Sequence, residues 1–257
     1  EDASGSTLAL TGTDIETTAS ELIRILTVIP SNGDAYNDAG GGNPDGSALA
    51  VGDTLASVFT IYNPDANWNG TDIIEFKVND GTADSPPLAL NLVVNSVNDI
   101  PIMTTQTITI NEDIPTDITL SATDVDGDNL TYRILTVDNG STSISGSTVT
   151  YTPPANLNGA NADIIFWAVN DGTSDGINSE SGASESKVFI SITAVNDAPT
   201  TEDVSTTINE NRTARMVGIT LDGTDIEGDD LTYSLVTDPS NGTASISGST
   251  LTYDANQ

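Results

Sequence analysis

The sequence contains no cysteine and no histidine. The absence of cysteine excludes disulfides, thiolate nucleophiles and cysteine-ligated zinc or iron. The absence of histidine removes the commonest general base and the usual ligand of transition metals. Serine and cysteine triads in their usual forms are therefore excluded. Basic residues are also scarce, because 6 Lys and Arg stand against 38 Asp and Glu and give a formal net charge of −32.

This charge and the lack of long apolar runs exclude further partners. Binding to nucleic acid requires Lys and Arg to neutralise the phosphates, and this chain has few of either. An anionic membrane surface would repel the chain for the same reason. The sequence has no run of about 18 apolar residues, so we expect no direct insertion into a membrane. No charged-then-apolar signal segment opens the chain.

Internal repeats organise the chain, and they have a period near 98 residues. The segment Val-Asn-Asp-x-Pro occurs twice, and its Asp residues are 197 − 99 = 98 positions apart. Repetition at a fixed period is the signature of an array of similar units. The repeated segments are 97–101 with 195–199, 109–112 with 207–210, 130–132 with 231–233, and 143–148 with 245–250.

The Asn-Asp-x-Pro segments predict the domain boundaries. The predicted domains are 1–99, which lacks its first strand, 100–197, which is complete, and 198–257, which lacks its C-terminal half. We expect the chain to be a segment of a longer linear array, because it begins and ends inside repeats.

The pattern of apolar residues predicts strands. Short runs rich in Val, Ile, Thr and aromatic residues alternate with polar positions and are bounded by Gly, Asn and Asp. No stretch has an apolar stripe at helical period. Units of this length predict an all-β fold of tandem Greek-key β-sandwiches in a linear array. The core of the second repeat is expected to contain Ile110, Leu120, Leu130, Tyr132, Val149, Phe166, Val169 and Ile190.

Acidic residues recur at matching positions next to the predicted strand ends. One is the run Asp-Val-Asp-Gly-Asp at 124–128, which corresponds to Asp-Ile-Glu-Gly-Asp at 225–229. Others are the Asn-Asp pairs before the boundary prolines and a Glu after each first strand. Carboxylate, amide and carbonyl oxygens are the ligands of a hard cation such as calcium. A single such run is equally well explained as a solvated turn, but repetition beside the boundaries favours calcium.

The combined pattern resembles the bacterial cadherin-like tandem repeats of large calcium-binding surface adhesins. Such repeats carry an acidic residue after the first strand, an Asp-x-Asp turn, an Asp-x-Gly near the sixth strand and an Asn-Asp linker before Pro. Here Glu112, Asp124 with Asp126, Asp171 and Asn98 with Asp99 match those positions. The resemblance implies Ca²⁺ bound between consecutive domains.

The resemblance also implies which residues serve each junction. At the first junction it implies Glu1, Asp72, Asn98, Asp99, Asp124, Asp126 and Asp171. At the second it implies Glu112, Asp163, Asn196, Asp197, Asp225 and Glu227.

The function implied is that of a calcium-rigidified extracellular segment, either an adhesin stalk or a fibril at a bacterial cell surface, with a role in adhesion or biofilms. Its expected partners are adjacent repeats of the same chain and like chains in a fibril. The alternative is a calcium-dependent polysaccharide-binding module or a module for another cell-surface ligand. We expect no enzyme, because the candidate carboxylates recur in each repeat whereas an active site rarely does.

Overall fold

The computed structural model describes residues 5–19, 21–38, 40, 42, 44–208 and 216–256. These residues form strands, turns and loops and contain no helix, which confirms the predicted all-β fold. None of them belongs to a helix with the length and apolar character that crossing a bilayer requires.

The described chain forms 22 strands. The first seven are β1 (Ser6–Ala9), β2 (Ile23–Val28), β3 (Gly33–Asp38), β4 (Pro44–Asp45), β5 (Phe59–Pro64), β6 (Gly70–Asn79) and β7 (Leu88–Val94). They are followed by β8 (Ile102–Met103), β9 (Gln106–Asn111), β10 (Thr116–Thr119), β11 (Ala122–Thr123), β12 (Thr131–Val137), β13 (Ser141–Ser145), β14 (Thr148–Thr152), β15 (Gly159–Asn170), β16 (Ile177–Asn178) and β17 (Ser186–Thr193). The last are β18 (Thr200–Thr201), β19 (Met216–Thr220), β20 (Gly223–Thr224), β21 (Gly242–Ser247) and β22 (Thr250–Ala255).

The strands pair into small sheets that are largely antiparallel. The two larger sheets have the orders β1-β5-β3-β4 and β12-β15-β17-β9. The remaining orders are β2-β6-β7, β10-β14-β13, β11-β8-β16, β19-β22-β21 and β18-β20.

Spatial contacts divide the chain into two compact units. The first unit comprises 1–102, 122–131 and 169–177, and the second comprises 103–121, 132–168 and 178–257. The predicted repeat boundaries 1–99, 100–197 and 198–257 stay a prediction beside this division.

The first unit has a core of aliphatic and aromatic side chains from the sheets β1-β5-β3-β4 and β2-β6-β7 and from the loops beside them. Alternation positions these residues, because successive side chains of a strand point to opposite faces. In β6, for example, Ile74 and Phe76 are buried while Ile73 is 40% exposed. The buried cluster consists of Leu10, Leu26, Ala35, Leu49, Leu55, Tyr62, Ile74, Phe76 and Leu92.

In the second unit, β15 and β17 carry the longest alternating patterns. Ile165 and Trp167 of β15 are fully buried, and Tyr132 stacks on Trp167 with ring centroids 6.0 Å apart. Phe166 points to the other face, where the Lys187 ammonium lies 5.0 Å from its ring centroid. The prediction that Phe166 lies in the core is therefore wrong. Its neighbour Trp167 occupies the core, and Phe166 lies on the opposite face of the strand.

The pairing of β9 with β17 departs from the antiparallel pattern. β9 pairs in parallel with β17, in a register that sets Gln106 beside Val188 and Asn111 beside Thr193. Parallel neighbours require a long connection, and here it is the rest of the sandwich. The first strand of this four-stranded sheet in the sequence therefore lies beside the last one.

A glycine packed against a tyrosine ring recurs in the three repeats. A Cβ on Gly140 would lie 2.4 Å from a ring carbon of Tyr151. A Cβ on Gly33 would lie 2.7 Å from the ring of Tyr62, and a Cβ on Gly242 would lie 2.7 Å from the ring of Tyr253. Each glycine follows an asparagine in the sequence. The ring and the chain entering the next strand therefore fit together only when no side chain stands between them.

Replacing Gly140 with Ala is expected to destabilise the protein by about 1–3 kcal/mol, the usual cost of overpacking a well-packed site. Urea denaturation of the variant beside the parent measures this. Gly218→Ala is the control, since its Cβ would lie 3.6 Å from the nearest atom, an ordinary contact. Equal urea midpoints for Gly140→Ala and the parent would show that the close contact of Gly140 with Tyr151 does not contribute to stability.

Candidate metal centre

A tight acidic loop connects β11 with β12. The backbone N–H of Asp128 donates to Oδ1 of Asp124 across 3.1 Å, and Gly127 turns the chain with φ of 77°. That left-handed conformation is disfavoured for residues with a Cβ. The fold of the loop brings carboxylate oxygens of Asp124, Asp126 and Asp128 within 4.8 Å of one another. Asp124 is half-buried and the other two are exposed.

The linker that follows β7 joins this loop through its backbone and side chains. The N–H of Asp99 donates to Oδ2 of Asp126 at 2.6 Å. The side-chain amide of Asn98 donates to Oδ2 of Asp171 at 2.7 Å and to the carbonyl of Asp99 at 2.9 Å. The structure thus brings together most of the residues predicted for the first junction. We call this set, with Asp128 added, the first acidic cluster: Asn98, Asp99, Asp124, Asp126, Asp128 and Asp171.

The first acidic cluster has features that fit a cation. Oδ2 of Asp124 is buried and has no hydrogen-bond donor among the described residues, which leaves an acceptor removed from water without compensation. The pKa of Asp171 lies far below its ordinary value, because the Asn98 amide and the N–H of Ser174 donate to it. The sequence contains no Lys or Arg between Lys77 and Arg133. A hard divalent ion with oxygen ligands would supply the missing positive charge.

Asp128 was missed by the sequence analysis as a member of this set. Its exposure is that of a turn residue, and Asp-Gly-Asp is common in turns. The signal was nevertheless present, since Asp128 is the third acid of the Asp-x-Asp-Gly-Asp run.

A second set of predicted residues has the same local arrangement. The N–H of Asp197 donates to Oε2 of Glu227 at 3.2 Å, and the N–H of Asp229 donates to Oδ1 of Asp225 at 3.0 Å. Gly228 turns this loop with φ of 83°. An open pocket of about 480 Å³ is lined by Asp197 and Asp225, among others. The second acidic cluster is Asn196, Asp197, Asp225, Glu227 and Asp229.

Glu112 lies next to the linker of the second acidic cluster. Its side chain is fully buried, and its Oε1 accepts from the N–H of Val195 at 2.8 Å. The Asn158 amide lies 3.5 Å from Oε2. Glu112 therefore lies beside Val195, the residue that precedes Asn196. Its role as a ligand at the second junction stays a prediction.

Asp72 lies elsewhere and has protein partners for both of its oxygens. It is buried, and it accepts from the N–H of Ser31 at 3.0 Å and from the N–H of Asn32 at 2.9 Å. The hydroxyl of Tyr62 lies 3.3 Å from Oδ2. Burial and the neighbouring carboxylate raise the pKa of Tyr62 to about 12. Asp72 thus orders the loop before β3, and we leave it out of the ligand set proposed below.

Asp163 repeats this arrangement in the second repeat. It is 1% exposed and accepts from the N–H groups of Asn139 at 3.0 Å and Gly140 at 2.6 Å. The hydroxyl of Tyr151 donates to Oδ2 at 2.6 Å. We leave Asp163 out of the ligand set for the same reason. Glu1, the remaining predicted ligand, lies outside the described residues.

The buried carboxylates of Asp72 and Asp163 make stability depend on pH. Burial alone would raise their pKa values, but the hydrogen bonds that they accept outweigh it and hold each pKa below 3.8. A depressed folded-state pKa contributes stability above the unfolded value, and that stability is lost as the pH falls through the folded value.

We therefore expect the free energy of unfolding in calcium-free buffer to fall steadily as the pH drops below about 4. Urea titrations at a series of pH values measure this. In Asp163→Asn this free energy should fall less steeply, because the variant has one fewer carboxylate whose pKa is lowered by folding. A parent whose midpoint does not change in this acid range would contradict the assignment.

A match to one family model identifies the family of this chain. The model described as bacterial Ig domain matches residues 98–180 and 196–257, more than half of the chain. The chain therefore belongs to the bacterial Ig domain family. This confirms the predicted class of bacterial cadherin-like or Ig-like sandwich repeats. Among curated proteins, none gives a significant match.

Solved structures show likenesses of low sequence identity. Mouse protocadherin-24 EC1-3 is 16% identical, with a TM-score of 0.49 over 96% of this chain and 80% of that one. Human protocadherin-24 EC1-2 is 17% identical, with a TM-score of 0.44 over 74% and 88%. An endo-fucoidan hydrolase of glycoside hydrolase family 107 is 17% identical, with a TM-score of 0.29 over 91% of this chain and only 34% of its own length. We infer neither activity nor partners from these structures.

Proposed function

We propose that this chain is a calcium-binding segment of an extracellular repeat array, with a structural or adhesive role at a bacterial cell surface. Ca²⁺ is held by the first acidic cluster and by the second acidic cluster with Glu112. The observation that carries the proposal is the buried Oδ2 of Asp124, an acceptor without a donor among the described residues, in a cluster of five carboxylates.

Electrostatics support this function. Like charges this close repel one another, and the repulsion is strongest where water is excluded. The first acidic cluster contains five carboxylates, which is more negative charge than hydrogen bonds from one amide and a few N–H groups neutralise. A divalent ion removes the repulsion and joins the linker after β7 to the loop before β12. The bound ion would thus stiffen the connection between successive repeats.

The repetition of the cluster supports an array rather than a catalytic role. Two similar clusters lie at linkers that are 98 residues apart, whereas a catalyst requires one site. The proposed partners are therefore adjacent repeats of the same chain and like chains in a fibril. Nothing specific favours the polysaccharide alternative, since Trp167 is fully buried and unavailable for stacking on sugars.

Calcium is expected to stabilise the chain against unfolding, and chelation to reverse the effect. With a dissociation constant of about 10⁻⁴ M, typical of extracellular modules, and a hundredfold excess of ion, each site adds about 2.7 kcal/mol. Urea denaturation with increasing CaCl₂, beside MgCl₂ at equal ionic strength, measures this. Magnesium is the control because it requires a smaller, stricter octahedral site. Identical curves in calcium and in chelator would refute the proposal.

A further inference from the structure

The sheet β12-β15-β17-β9 differs in charge from the rest of this acidic chain. Its four strands contain a single acid, Asp163, which is buried on the inner side of the sheet. They also contain two cations, Arg133 and Lys187. These strands therefore carry a net positive charge, whereas the whole chain has a net charge of −32. The outer face of this sheet thus favours the approach of an acidic surface.

Aromatic and aliphatic side chains share this outer face with the cations. In the register of β15 with β17, Ile164 lies opposite Phe189, and Phe166 lies opposite Lys187. Directly opposite residues of an antiparallel pair lie on the same side of a sheet. All four are half-buried, and Leu135 of the neighbouring β12 is 45% exposed. The outer face therefore combines apolar area with positive charge, a combination that is typical of protein interfaces.

The Lys187 ammonium is held in place on this face without being neutralised. It lies 5.0 Å from the ring centroid of Phe166, a cation–π contact that keeps it over the sheet. In the described part of the chain, the lysine that forms an ion pair is Lys77, which lies 2.6 Å from Asp84, and Lys187 forms none. Because the ammonium is already ordered, pairing it with a carboxylate of another molecule costs little further side-chain entropy.

The corresponding sheet of the first repeat, β2-β6-β7, has a complementary outer face. The repeated segments 78–81 and 169–172 set Glu75 at the position of Phe166, and Glu75 forms no ion pair with the described residues. Ile73, two residues before it on the same side of β6, is 40% exposed, and Ile23 of β2 is 44% exposed. Lys77 on this side is neutralised by its own ion pair. This face therefore combines apolar area with a negative charge.

We propose that the outer face of β12-β15-β17-β9 binds the outer face of β2-β6-β7 of a second copy, with Lys187 against Glu75 and the two phenylalanine rings against Ile73. The inference names the surface for the association of like chains, so it rests on that part of the proposed function and not on calcium. The contact is heterologous, because the two faces are different parts of the chain. Buried aromatic side chains supply affinity, and the ion pair selects the partner face.

Charge is the reason for assigning this face to a second copy. Most contacts between chains of net charge −32 would bring acids face to face, whereas this one brings unlike charges together. At physiological salt the repulsion between the remaining charges is screened beyond about 8 Å. Each copy has one face of each kind, so we expect copies to add one after another.

Carbodiimide cross-linking of the 257-residue chain tests the contact at single residues, because this reagent joins amines to carboxylates that touch them. The chain contains two lysines, Lys77 and Lys187. In a mixture of isotope-labelled and unlabelled chains, we expect mass spectrometry to find Lys187 of one copy linked to Glu75 of another. The link between Lys77 and Asp84 within one chain is the internal control. If the control link forms and Lys187 is not linked to Glu75 of another copy, the proposal is wrong.

Charge reversal separates a specific contact from a damaged fold. Analytical ultracentrifugation of the parent at physiological salt should show oligomers that grow with protein concentration. Lys187→Glu alone and Glu75→Lys alone should each weaken association by at least about tenfold, or about 1.4 kcal/mol. An equimolar mixture of these two variants should associate again, because each contact between unlike variants joins opposite charges. Asp117→Lys, which changes the net charge as Glu75→Lys does but lies on β10, is the control and should associate like the parent.

The same samples keep this proposal apart from the calcium function. Association and urea denaturation are both measured in calcium and in chelator. A parent that stays monomeric at high concentration but is stabilised by calcium would overturn the interface and leave the calcium function standing. Association without any response to calcium would support the interface and refute the calcium function. A mixture of the two charge-reversal variants that associates no better than either variant alone would also overturn the interface.

Discussion

Asp126→Asn is expected to weaken calcium binding at the first acidic cluster by at least about tenfold, which corresponds to about 1.4 kcal/mol. The substitution keeps the size of the side chain and one oxygen that can still accept from the N–H of Asp99. It removes one negative charge from the centre of the cluster. The loss of affinity therefore reports the charge and not the fold of the linker.

Two controls separate this effect from a general change in surface charge. Asp117→Asn removes the same charge from β10, where the carboxylate accepts from the Thr150 hydroxyl at 2.6 Å, and should leave binding unchanged. The second acidic cluster, in which Glu227 replaces Asp126, should titrate normally in the variant. Calorimetry gives the overall affinity, and the amide resonances of Gly127 and Gly228 report each cluster separately. If Asp126→Asn titrates like the parent, the acidic clusters are solvated, charged surface loops.

Asp128→Asn extends the same experiment to the residue that the structure adds. Its carboxylate lies within 4.8 Å of those of Asp124 and Asp126, so its charge contributes to the field at the cluster. Because it is exposed, we expect a smaller loss of affinity than in Asp126→Asn. An equal or larger loss would move the centre of the site toward the tip of the loop.

Asp163→Asn is expected to destabilise the protein by about 3 kcal/mol, the upper range for losing hydrogen bonds to a buried charged group. The side chain accepts from the Tyr151 hydroxyl and from two N–H groups of the preceding loop. In the variant, the amide NH₂ would face one of those donors, and a buried donor would be left unsatisfied. Urea denaturation measures the change without any metal.

A double-mutant cycle with Tyr151→Phe assigns the energy. Because the two residues share a hydrogen bond, the double variant should lose less stability than the sum of the single variants. Asp72→Asn with Tyr62→Phe is the matched pair in the first repeat, and its smaller effect is expected from the longer 3.3 Å contact. Additive losses for Asp163 and Tyr151 would show that they act independently.

The repeats and the strand pattern could be predicted because both are local properties of the sequence. The acidic clusters could be predicted for the same reason, since Asp124 and Asp126 are two positions apart and Asn98 and Asp99 are adjacent. The hydrogen bonds of Asp163 could not, because its partners are brought near it by a fold that single residues do not reveal. The face of β15 that enters the core was also misjudged, since Ile165, Phe166 and Trp167 are all apolar and both phases of the alternation fit.

The parallel pairing of β9 with β17 has a mechanical consequence for the proposed repeat array. In the repeat array proposed above, the chain would enter the sheet β12-β15-β17-β9 through β9 and leave it through β17. Tension along the array would therefore pull Gln106 one way and Thr193 the other. Because the two strands run in parallel over six paired positions, this force slides them past each other lengthwise. Their hydrogen bonds must then break nearly together, whereas bonds at the end of a hairpin would open one at a time. The sandwich is therefore loaded in shear, the direction in which a β-sheet resists extension best.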